Sequence, residues 1–89
     1  METALDSVLA ERKRQDGLWG EQDHSPATWI TILMEEVGEF CEQALTLQFM
    51  MTAGDHHRHN LRVECVHIAA VALAMVECLD RGKWRKDNA

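Results

Sequence analysis

Hydrophobic and polar positions follow each other along this chain with a helical period, and no stretch alternates in the manner of a strand. Ile30, Leu33, Val37, Phe40, Ala44 and Leu47 recur at spacings of three and four. On a helix of 3.6 residues per turn they form one stripe that should face a core. From Val63 to Leu79 the chain is apolar almost all round, the mark of a helix buried on most sides. A weaker pattern near the start places Leu5, Val8 and Leu9 on one side of a first helix, with Glu11, Arg12, Lys13 and Arg14 crowding its end. That cationic end suits the negative pole of a helix C-terminus.

Punctuation between the patterns predicts three helices, at about 3–15, 26–51 and 57–81. Gly17 and Gly20 break the first and leave a polar loop from Trp19 to His24. Ser25 as N-cap and Pro26 at the first helical position start the second, and Gly54 ends it. His56, His57 and His59 read as a solvated turn before the third, which Gly82 closes with a left-handed cap. The fold class is therefore all-α. Ile32, Cys41 and Leu45 lie off the second helix's main stripe, as Val66, Ala70 and Leu73 do in the third. Three helices cannot bury so much apolar surface within one protomer, so a homo-oligomer is expected: a symmetric dimer with a four-helix-bundle core, able to pair again into a tetramer.

Composition narrows the partners. At 89 residues the chain is expected to be one domain, 1–89, with a small core that oligomerisation would reinforce. A formal charge of -6, from 15 acidic against 9 basic residues, disfavours a nucleic-acid backbone or an anionic membrane and suits a cation. No apolar run reaches transmembrane length and the first residues lack a signal peptide's regions, so a cytoplasmic location is expected. Cys41, Cys65 and Cys78 are odd in number, far apart and inside helical patterns, which reads as three reduced core or near-core thiols. With no Cys-x-x-Cys pair, a zinc site made from them and His67 has little support.

The chemistry concentrates in two short knots. Turning about 100° per residue puts Glu36 beside the apolar stripe and Glu39 farther round, on a shared border face, while Glu35 and Glu42 point nearly opposite the core. In the third helix Glu64 and His67 lie one turn apart, and Glu64 shares a sector with Ile68, Val71 and Met75. An unpaired carboxylate in that setting would cost several kcal/mol. A divalent cation shared with Glu36 and Glu39 would compensate it.

Glu35-Glu36-x-x-Glu39, followed after 24 residues by Glu64-x-x-His67, resembles the EExxE…ExxD signature of the MazG-like, all-α nucleoside triphosphate pyrophosphohydrolases. The upstream stretch Arg12-x-x-Gln15-x-x-x-Trp19-Gly20-x-Gln22-x-His24-x-Pro26-x-x-Trp29 is similar to the small single-domain members of that family. The resemblance implies a hydrolase that cleaves between the alpha and beta phosphates of a nucleoside triphosphate, releasing a monophosphate and pyrophosphate, in a house-cleaning role. It implies Mg2+ held by Glu36, Glu39 and Glu64, with Glu35 a further acid that binds metal or orients a water, so that Glu35, Glu36 and Glu39 are the catalytic candidates.

One position departs from the family pattern. His67 replaces the family's aspartate; imidazole is a poor ligand for Mg2+ but an acceptable one for Mn2+. It is alternatively an outer partner of a glutamate or phosphate, the sign of a site that has lost activity, or a plain structural histidine. Trp19, Gln22, His24 and Trp29 are candidates for a base pocket, since aromatic faces stack on bases and amides read their edges; the tryptophans equally suit a core-closing role. Arg12, Arg14, Arg62, Arg81, Lys83, Arg85 and Lys86 are candidates for phosphate contacts. The alternative function is a non-catalytic helical oligomer that keeps the bundle as a binding scaffold.

Overall fold

The protein is described here by a computed structural model covering residues 2–49 and 55–84. Among the described residues all regular structure is helical: α1 (Ala4–Trp19), α2 (Pro26–Phe49) and α3 (Asp55–Asp80). Thr3 caps α1 through a reciprocal capping box, its hydroxyl accepting from the Asp6 amide while the Asp6 carboxylate accepts from the Thr3 amide. The expected break at Gly17 does not occur. An interior glycine costs only about 1 kcal/mol, and the helical ladder runs through it until Gly20, at φ 71°, donates back to the Asp16 carbonyl. Trp19 is thus the last residue of a helix and not the first of a loop.

Ser25 caps α2 as expected, with its hydroxyl 3.3 Å from the Thr28 amide. The expected helix end at Met51 and the Gly54 turn lie outside the described residues, as do Arg85 and Lys86. The third helix starts at Asp55, so His56, His57 and His59 occupy its first turns and not a solvated turn. It closes as the sequence suggests: Gly82, at φ 69°, donates to the Leu79 carbonyl and Lys83 to that of Cys78, the paired bonds of a Schellman cap.

The third helix lies at the centre. Among the described residues α1 and α2 each pack on α3 and not on each other. The core is small: Trp29, Val71, Ala74 and Cys78 are buried, with Ile32, Leu33, Met75 and Trp84 packed against them. The α2 stripe is only half-buried, and Ile30, expected in it, faces outward together with Met34, Leu45 and Phe49. Cys41 and Cys65 are exposed free thiols and only Cys78 is a core thiol.

Helix α1 is inverted relative to its apolar pattern. Leu5 and Leu9 are exposed, while Ser7, Arg12 and Gln15 are buried. The inner face works because α3 offers it polar partners. Arg62 donates to Ser7, and Arg12 donates to Glu77 through both Nε and Nη2 and to Gln15 at 3.1 Å. No described helix is long and apolar enough to cross a membrane.

Candidate functional site

Because α1 and α2 do not touch, a cleft opens between them with α3 as its floor. Its volume is about 510 Å3. Glu11, Arg14, Gln15 and Trp19 line it from α1, Trp29, Ile32, Glu35, Glu36 and Glu39 from α2, and His67, Val71 and Ala74 from α3. The loop before α2 adds Gln22 and His24. The sequence's candidate acids and its candidate base-pocket residues therefore share one cleft, with Glu64 contributing from the α3 side of the acid cluster.

At one part of that cleft, ligand atoms from Glu36, Glu39, Glu64 and His67 all lie within 4.8 Å of one another. Helical spacing creates the pairing, since residues three apart stand on one face of α2 and of α3. His67 Nδ1 is 3.5 Å from Glu36 Oε2 and 3.6 Å from Glu64 Oε2. Those two oxygens are buried and accept no hydrogen bond. Burial, reinforced by the charge of Glu39, holds the carboxyls of Glu36 and Glu64 above the usual glutamate range. No family model, curated protein or solved structure matches this chain.

The donor set fits a divalent cation. Three carboxylates and one imidazole converge, and two buried oxygens that lack protons to accept are what a cation would satisfy. A buried polar atom without a partner otherwise costs about 1–3 kcal/mol.

Glu35 is exposed and lines the cleft, although its helical angle points it away from the core. Trp29 and Trp19 have separate roles. Trp29 is 1% exposed, meets the His24 ring edge-on at 4.8 Å and stacks on Trp84 at 6.4 Å, so it closes the core while touching the cleft. Trp19 is 60% exposed and offers an open ring face. His24 and Gln22 are joined at 2.9 Å. Of the basic candidates, Arg12, Arg14, Arg62 and Arg81 are engaged internally; Arg81 holds the Gln22 carbonyl and the Asp23 carboxylate.

Glu11 is the residue that pattern reading passes over. Arg14 grips its carboxylate with two bonds of 2.7 Å, Gln15 donates to it at 3.1 Å, and its Oε2 stands 3.7 Å from His67 Nε2. The Arg14 bonds hold the Glu11 carboxyl below its usual range. Its signal in the sequence is the pair of basic and amide groups three and four residues on, which can reach back along one helix face.

Proposed function

We propose that this protein is a metal-dependent nucleoside triphosphate pyrophosphohydrolase of the MazG-like type, cleaving between the alpha and beta phosphates. The observation that carries the reading is the convergence of Glu36, Glu39, Glu64 and His67, two of them with buried unpartnered oxygens, in a cleft that also presents the Trp19 face. Glu36, Glu39 and Glu64, with His67, would hold the cation, with Mg2+ or Mn2+ as the candidates; when bound, it neutralises charge on the phosphates. Glu35, exposed on the cleft wall, accepts a proton from the water that attacks the alpha phosphorus. The bridging oxygen then leaves with pyrophosphate. Trp19 stacks on the base, and Gln22 and His24 stand where they can read its edge. Such an enzyme suits nucleotide-pool house-cleaning in the cytoplasm and works as a homodimer or tetramer.

Product analysis by phosphorus NMR tests the reading. The purified protein is incubated with ribo- and deoxyribonucleoside triphosphates in Mg2+ and, separately, Mn2+. Monophosphate plus pyrophosphate is expected, and Glu36→Ala should reduce the rate more than about a hundredfold, since even outer partners of a metal ligand contribute 10–100-fold. Silence across the panel from a folded protein would sink the enzyme.

A second reading, a non-catalytic helical scaffold, is favoured by the exposed apolar side chains of Ile30, Met34, Leu45 and Phe49 on α2. A scaffold would show no metal-dependent change in melting temperature.

A further inference from the structure

The imidazole of His67 stands between carboxylates on both of its nitrogen sides. Nδ1 faces the carboxylates of Glu36 and Glu64, at 3.5 and 3.6 Å, and Nε2 faces the Glu11 carboxylate at 3.7 Å. Glu11 is not free to turn away. Its two oxygens take three hydrogen bonds from Arg14 and Gln15, its side chain is 10% exposed, and Gln15 is itself held by Arg12. A carboxylate fixed on one side of an imidazole favours the tautomer with its proton on that side and leaves the opposite lone pair free to bind metal. Carboxylates face both nitrogens, but a cation held by Glu36 and Glu64 would occupy the oxygens on the Nδ1 side. Glu11 is then the carboxylate that takes the ring proton, on Nε2, so that the Nδ1 lone pair meets the metal.

We infer that His67 is a metal ligand through Nδ1, that Glu11 is its positioning residue, and that together they turn the site towards Mn2+ or Co2+ and away from Mg2+. The chemical ground is ligand type: Mg2+ demands hard oxygen donors and near-ideal octahedral geometry, whereas imidazole nitrogen suits the first-row transition ions. An aspartate at this position would give an all-oxygen set. The histidine supplies one nitrogen, and α1 supplies the acid that orients it. The inference rests on the metal site proposed above and adds to it Glu11, which lies outside the acidic motif, and a direction of metal preference.

The test uses metal alone, without substrate. Calorimetric titration gives the affinities for Mn2+ and Mg2+, and pulsed electron paramagnetic resonance of the Mn2+ form reads directly bonded nitrogen. Wild type is expected to bind Mn2+ more tightly and to show a nitrogen coupling. In His67→Asp the coupling should vanish and the preference should move towards Mg2+. Glu11→Gln keeps the size of the side chain and loses the charge; it should weaken Mn2+ binding about 10–100-fold while leaving Mg2+ binding to the three carboxylates less affected. Mn2+ binding with no nitrogen coupling would overturn the inference and leave the carboxylate site standing. Equal losses for both ions in Glu11→Gln would overturn the positioning role. No binding of either ion by folded wild-type protein would overturn the site itself.

Discussion

Single residues separate what the site needs from what the core needs. Trp29 and Trp19 face the same cleft, but only Trp29 is buried. Trp19→Ala should therefore leave the melting temperature within a degree or two of wild type, because exposed substitutions change stability by about 0.5 kcal/mol or less. On the function proposed above it should raise KM roughly 5- to 150-fold, the loss of one base stack of about 1–3 kcal/mol; steady-state kinetics on the two proteins checks it. Glu36 gives a pH signature. Its carboxyl lies above the ordinary value of 4.5, chiefly through burial. A carboxyl raised by folding contributes stability below that ordinary value, and the contribution is lost as pH climbs through the raised one. In chelator, the melting temperature of wild type relative to Glu36→Gln should fall as pH rises from about 4.5 towards neutrality, and Mn2+ should reverse the difference. Glu36, Glu39, Glu64 and His67 could be read from the sequence because helical angles bring them to facing sides of two helices. Glu11 could not, since what selects it is a partner across the fold, 3.7 Å away at His67.

The helices differ in how far their own patterns explain them. In α3, apolar residues all round do mean a central position, although Val76 and Leu79 stay exposed, and the glycine cap falls where expected. In α2 the start was legible from Ser25 and Pro26, but the stripe was assigned more burial than a three-helix protomer provides. In α1 the apolar pattern points the wrong way, because ion pairs and hydrogen bonds to α3 outcompete the burial of Leu5 and Leu9. That ranking can be tested at Arg12, which ties Glu77, Gln15 and Asp16 together. Arg12→Met should cost about 2–3 kcal/mol, less than the roughly 3–5 kcal/mol of a fully buried pair because Glu77 is 41% exposed. For a chain of this size the melting temperature should drop by roughly 10–20 °C, whereas Leu9→Gln on the outer face should change it little.

At the scale of the molecule, the radius of gyration is 15.1 Å, against about 12 Å for a compact domain of this length. Outward-facing apolar residues on α2 accompany this open shape, which suits the self-association proposed above. Sedimentation analysis should give at least about twice the protomer mass of 10.2 kDa, and Leu45→Glu or Phe49→Glu should lower it to one protomer. The excess of apolar positions over one core was readable from the sequence. Which residues stay exposed was not, because it depends on the gap between α1 and α2.

That same gap bears on how the chain comes off the ribosome. Its first two helices need the third to pack against, and the third is synthesised after them. A nascent chain that has emerged only through Phe49 holds Glu36 and Glu39 with no Glu64 or His67 to face them, and its apolar stripe has no floor to lie on. A cation held as proposed above would find its full donor set only once α3 has emerged, and stable structure waits for that helix, when contacts as distant as Arg12 to Glu77 close together. Until then the α2 stripe stays exposed, and transiently exposed apolar surface of that kind is prone to aggregate.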